Sequence, residues 1–244
     1  MTGPRVRFVD LAAAEPAEAV VVVDVLRAFT TVPWLLARGA GRVLATASRD
    51  HARRLARREL SGALLAGEDG GRRVPDFDLG NSPADLRDRD LGGRPVVLRT
   101  SAGTNGLVRC AGSGLLLAAS MVIAGATVRA LREAAPRRVD VVVTGASRGR
   151  DGDEDLACGQ LIAARLRGDD PDPAPFLARI ARSDAGRAFT PAGPDWARVE
   201  DRELASELDR FDHALVAHRA PDVDAIELTA HRADTALTPR PGDP

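Results

Sequence analysis

The stretch Val21–Thr31, VVVDVLRAFTT, ends a run of four valines with an aspartate and, three residues on, an arginine. Continuous valine without polar alternation predicts a fully buried strand of the kind found inside parallel sheets. A carboxylate at the end of such a strand is costly unless it is paired or used. Asp24 is therefore read as functional, and Arg27 as either its salt-bridge partner or an anion ligand. Next, TVPWLLARGA predicts a helix with Thr30 or Thr31 as N-cap, Pro33 in the first turn and Gly39 closing it.

The same arrangement recurs downstream. RVLATA, GALLAGE, RPVVLR, GLLLAAS and RVDVVV read as strands, with helices at about 50–60, 124–135 and over EDLACGQLIAARLRG. Strands alternating with helices predict a three-layer α/β/α fold with a largely parallel or mixed sheet and an active site at the carboxyl ends of its strands. EDGGRRVPDFDLGNSPADL reads as a long ordered loop and residues 169–175 as a linker. RVEDRELASELDRFDHALVAH reads as helical, DVDAIEL as a last strand. Residues 1–232 are expected to form one α/β domain, with 128–138 the boundary if it divides into two lobes, and 233–244 a C-terminal tail.

Composition removes whole classes of chemistry. All 34 basic residues are arginine, so a P-loop, a Schiff base and pyridoxal phosphate each lack the lysine they need. Tyrosine is absent too, which leaves proton transfer to carboxylates, four histidines, thiols or metal-bound water. A net charge of -1 argues against a nucleic-acid partner. The arginines of RDHARRLARREL fit a solvated helix face. No run approaches the roughly 20 apolar residues of a membrane span, and no signal core opens the chain, so a cytoplasmic location without a membrane partner is expected. A homo-oligomer stays open. Cys110 and Cys158 match no metal spacing and read as small buried residues, and His51, His213, His218 and His231 as scattered core or surface positions.

Four strands run into polar loops, at 24–31, 67–83, 100–106 and 145–155. They supply the carboxylates Asp24, Glu68, Asp69, Asp76, Asp78, Glu154 and Asp155, and the neutral donors Asn81, Ser82, Thr100, Ser101 and Thr104. Gly103 and Gly106 let backbone amides approach a ligand. Hard carboxylate oxygens suit Mg²⁺, clustered amides and hydroxyls suit a phosphate, and a divalent cation reconciles the two sets. Structural explanations stand beside these. Asn81-Ser82-Pro83 also reads as a turn and helix cap, Glu154-Asp155 as the acidic first turn of a helix, and Asp76 and Asp78 as turn residues.

Five of these elements, in order across about residues 20–165, resemble those of the 2-phosphosulfolactate phosphatases, Mg²⁺-dependent enzymes that release phosphate from a sulfonated phospho-hydroxy acid. They are Asp24-Val25-Leu26-Arg27-Ala28, Gly67-Glu68-Asp69, Phe77-Asp78-Leu79-Gly80-Asn81-Ser82-Pro83, Thr100-Ser101-Ala102-Gly103-Thr104 and Glu154-Asp155-Leu156-Ala157-Cys158-Gly159. The resemblance implies that Asp24, Glu68 and Asp155, with Glu154 as substitute, hold Mg²⁺ or position the attacking water. Arg27, Asn81, Ser82, Thr100, Ser101, Gly103 and Thr104 would then bind the phosphorylated small acid, with Asp24, Arg27 and Glu68 as the catalytic set. Asp69 stands where the family has arginine, Ala102 where it has asparagine, and the asparagine expected soon after Ser120 is missing from MVIAGAT. Asp69 and Ala102 favour a second expectation, an idle α/β module that binds an anionic metabolite. Haloacid-dehalogenase-type phosphatases need a second aspartate where Leu26 stands, and isochorismatase-like hydrolases need a lysine.

Overall fold

The computed structural model describes residues 3–146 and 149–232. The tail expected at 233–244 lies outside the described residues. The chain runs β1 (Arg5–Asp10), β2 (Ala19–Val23), α1 (Ala28–Ala37), β3 (Arg42–Ala45), α2 (Arg49–Arg54), β4 (Leu64–Asp69) and β5 (Arg72–Arg73). It continues through β6 (Pro95–Arg99), α3 (Gly103–Arg109), β7 (Leu115–Ala119), α4 (Ala124–Ala134) and β8 (Arg138–Val143). Last come α5 (Asp153–Arg167), α6 (Ala174–Arg182), α7 (Val199–Ala205), β9 (Ala214–Arg219) and β10 (Ile226–His231). No described helix is long and apolar enough to cross a membrane.

All ten strands join one mixed sheet in the order β1-β8-β2-β7-β9-β10-β3-β6-β4-β5. Two parallel blocks, β1-β8-β2-β7 and β3-β6-β4, are joined through β9 and β10, each antiparallel to both its neighbours. Three antiparallel steps reverse direction, so the second block runs opposite to the first around the sheet. A flat sheet would put β2 and β6, five places apart in that order, about 24 Å from one another with their carboxyl ends on opposite edges. The right-handed twist, about 20–25° per strand, turns the blocks toward each other instead. α3 shows the result: a Cβ on Gly106 would lie 2.6 Å from Val22 of β2. One apolar cluster unites Phe29 and Val32 of α1 and Leu107 of α3 with Val22, Val43, Leu98 and Leu215. α4, α5 and α6 cover the other face of the first block, and α2 covers that of the second. These are the three layers.

Several boundaries differ from expectation. α1 begins at Ala28, two residues before the expected threonine cap, because Asp24 supplies the cap from outside the helix: its Oδ1 accepts from the Ala28 amide at 2.9 Å. Pro33 therefore falls inside α1 and removes the amide that would bond the Phe29 carbonyl. The Ser120 hydroxyl donates to that carbonyl instead, at 2.9 Å. Gly39 closes the helix in the left-handed region, at φ 81°. TSAGTNG, read as a loop, opens α3, and the long loop after β4 contains the short strand β5. HALVAH, read as helical, forms β9, and RVRFVD, unassigned in the sequence, forms β1.

Ser120→Ala should leave the Phe29 carbonyl buried without a donor. A loss of about 1–3 kcal/mol is expected in urea unfolding.

Candidate active site

Asp24, at the end of β2, is only 6% exposed. Its Oδ1 holds the Ala28 amide, and its Oδ2 accepts from Gly103 N, at the start of α3, at 2.9 Å. That approach needs glycine: a Cβ on residue 103 would lie 2.7 Å from Asp24 Oδ2 and 2.9 Å from the Ala28 Cβ. The carboxyls of Glu154 and Asp155, in the first turn of α5, face the loop after β8, where a Cβ on Gly145 would lie 2.7 Å from Glu154 Oε1 and 3.1 Å from Asp155 Oδ2. Asp155 accepts from the amides of Val25 and Gly145, both at 2.7 Å, and from the Thr144 hydroxyl at 3.1 Å, fastening α5 to the end of β2. Glu154 is 2% exposed, and its Oε2 is buried with no hydrogen-bond partner.

Burial is the first cause that moves these carboxyls. It lifts Asp24 to about 6, against the pull of the Ala28 amide and with added repulsion from Glu68 and Glu154. Burial and then repulsion from Glu154 and Asp24 push Asp155 well above the usual carboxylate range, and burial also raises Glu154. The centre is a buried cluster of mutually repelling carboxyls.

Glu68 joins the centre at its rim. Its Oε2 accepts from the Gly71 amide at 2.7 Å and the Ser101 hydroxyl at 3.1 Å, and its Oε1 accepts from the Ser101 amide at 2.5 Å. The loops after β2, β4, β6 and β8 thus meet in one place, as expected, but through the twist of a mixed sheet and not along one common parallel edge.

The expected ligand sets need correction. Among the described residues no three histidine, cysteine, aspartate or glutamate side chains are grouped so as to hold a metal ion. The four carboxylates Asp24, Glu68, Glu154 and Asp155 are thus not assembled as one ligand shell: Asp24, Glu68 and Asp155 each accept from backbone amides, and of the four Glu154 alone has an oxygen without a partner. The chemistry of Asp24 and Glu154 still fits a hard cation, because they are close enough to repel and Glu154 keeps an orphaned oxygen. Mg²⁺ commonly takes only one or two carboxylates and completes its shell with water and substrate.

On the anion side, Arg27 pairs with Asp201 of α7 at 2.7 Å, and not with Asp24. Three expected phosphate donors spend their hydroxyls within the protein: Ser82 on Asp201 at 2.7 Å, Ser101 on Glu68, and Thr104 on the Thr100 carbonyl at 2.9 Å. Asn81 is buried with its Oδ1 unpartnered. Ser82 also lines a surface cleft of about 240 Å³ together with Arg73 and Arg89. Asp69 points outward into ion pairs with Arg49 and Arg99, Asp76 pairs with Arg53, and Asp78 caps the Leu65 amide.

Asp201 and its neighbours Phe189 and Trp196 were missed. Asp201 sits in the charge alternation of RVEDRELASELD, which reads as a solvated helix. The available signal was the placing of two aromatics just before it, in a chain only 3% aromatic.

Fold and site together define a mixed α/β protein with an acidic, amide-ringed centre where four strand-end loops converge. The family model described as 2-phosphosulpholactate phosphatase matches residues 8–190, and the chain belongs to this family. A relative from Synechococcus sp. (strain JA-2-3B'a(2-13)), named a probable 2-phosphosulfolactate phosphatase, is 34% identical over 213 residues, 80% of this chain and 86% of its own length. Relatives of the same name from Synechococcus sp. (strain RCC307) and Carboxydothermus hydrogenoformans are 35% and 45% identical, over 62% and 45% of this chain. The chain spans 62% and 44% of the lengths of these two.

A carboxyl raised by burial favours the folded state while protonated. In metal-free protein the Asp24 contribution is therefore fully present below its ordinary value near 3.8 and lost as pH rises through about 6. The thermal midpoint of the wild type, taken relative to Asp24→Asn, should fall between about pH 4 and 6 in chelator, and a flat difference would contradict the repulsive centre.

Proposed function

We propose that this chain is a metal-dependent phosphatase that hydrolyses the phosphate monoester of a small acidic hydroxy compound, 2-phosphosulfolactate, to sulfolactate and phosphate. The observation that carries the reading is the buried, mutually repelling group of Asp24, Glu154 and Asp155 at the meeting of four loops, in a member of this family. Such a group is unfavourable by itself and becomes favourable with a divalent cation beside it.

Asp24 and Glu154 would hold Mg²⁺, which supplies charge neutralisation for the transferring phosphoryl group and a water of lowered pKa. Asp155 keeps the end of β2 and the start of α5 in register through its three hydrogen bonds. Glu68 orders the Gly70-Gly71 turn against the Ser101 loop. Arg27, Asn81 and Thr100 would meet the anionic oxygens.

The idle-module alternative drew on Asp69 and Ala102. Asp69 lies in surface ion pairs with Arg49 and Arg99, outside the acidic centre, so its replacement of arginine does not disturb Asp24 or Glu154. Ala102 offers only its backbone before α3, where the Gly103 amide already serves Asp24.

Purified protein with Mg²⁺ should release inorganic phosphate from 2-phosphosulfolactate, measured colorimetrically. Chelator should abolish the release, and Asp24→Asn should lower kcat by about 100-fold or more. Turnover that survives both treatments would overturn the reading. Gly103→Ala, which drives a methyl into the Asp24 carboxylate, should lower kcat by about 10-fold or more at a melting temperature still above that of the assay.

A further inference from the structure

We infer that Asp201 is a positioning residue of this site, one carboxylate that orients Arg27 toward an anionic substrate and, by accepting the Ser82 hydroxyl, fixes the Asn81-Ser82-Pro83 segment beside it. This rests on the phosphatase reading above. Asp201 is fully buried in α7, beyond residues 8–190 that the family model matches. Its Oδ2 accepts from Arg27 Nη1 at 2.7 Å, and its Oδ1 accepts from the Ser82 hydroxyl at 2.7 Å and the Ala84 amide at 3.0 Å. It therefore ties the loop after β2 to the Asn81-Ser82-Pro83 segment, two elements distant in sequence that both carry the family resemblance.

The guanidinium of Arg27 is held by two rings and three hydrogen bonds. It lies 5.3 Å from the ring centre of Phe189 and 5.7 Å from that of Trp196, two rings at 90° to each other. Nη1 also donates to the Trp196 carbonyl and Nη2 to the Gly71 carbonyl, both at 2.8 Å. Trp196 packs onto the glycine turn so closely that a Cβ on Gly71 would lie 2.5 Å from its ring. Three of the five guanidinium N–H groups are thus committed, and two, on Nε and Nη2, remain for an oxyanion. An arginine already fixed in one rotamer binds such an anion without the ordering cost that a free side chain incurs.

The test is Asp201→Asn, which keeps the size and the acceptor for Ser82 but removes the charge that holds Arg27. KM for the phosphorylated acid should rise by about 10-fold or more while kcat changes by less than about 3-fold. The affinity for inorganic phosphate should fall by a similar factor, read from Trp196 emission in a Trp34→Phe background where it is the remaining tryptophan. In an Arg27→Lys background the same change should add less than about 2-fold to KM. A lower melting temperature with KM and phosphate affinity unchanged would make Asp201 structural and overturn the inference. If the wild type hydrolyses no phosphorylated acid yet phosphate affinity still depends on Asp201, the phosphatase reading fails and the positioning role stands. Should Asp201→Asn not fold, Trp196→Leu decides: it unstacks Arg27 without stranding a charge, and should raise KM by about 3-fold, an unchanged KM counting against the inference.

Discussion

The Asp24 carboxylate joins two parts of the molecule that the sheet alone would keep apart. One oxygen holds the first amide of α1 and the other the first amide of α3, so a single side chain sets both helices between the opposed parallel blocks. Two amides offset part of the cost of burying a carboxylate, but not all of it, because Glu154 and Glu68 add repulsion. The anchor of the architecture is thus also one of the strained charges in the centre. A bound cation would therefore act on the fold as well as on a substrate.

Charge is divided within the site by an ion pair that neither reading of Arg27 anticipated. The acidic centre keeps its own repulsion, while the nearby cation is neutralised by an aspartate from a separate helix. Had Arg27 paired with Asp24, the cluster would already be compensated and a divalent ion would gain little by entering. Keeping the pairs apart leaves one region suited to a cation and another suited to an oxyanion, the two charges that a phosphate ester and its metal bring together.

How much of this the sequence disclosed follows from where each signal resides. β2, β6 and β8 were legible because strands buried on both faces read as unbroken apolar runs, and the polar loops beyond them were legible as breaks in those runs. α3 was not, because glycine and threonine disfavour a helix locally; its glycines are there to let Val22 and Asp24 approach, a reason that exists only in three dimensions. β9 was hidden because HALVAH follows a charged helical stretch and its partners, β7 and β10, do not precede it directly. Asp201 was hidden for the deeper reason that a buried acid and a solvated one are spelled alike, and only the folded chain supplies the arginine that separates them.

The place of β9 and β10 in the sheet has a consequence for how the molecule comes into being. They are the last strands of the described chain, yet they are the ones that join the two parallel blocks. A ribosome releasing the chain from its amino end would present both blocks, complete in themselves, before the hairpin that aligns them has emerged. Each block buries apolar surface on its own, but the convergence of their loops must wait for the closing hairpin. The acidic centre is complete only once that hairpin is in place, and a break within β9 or β10 would disturb it from a distance.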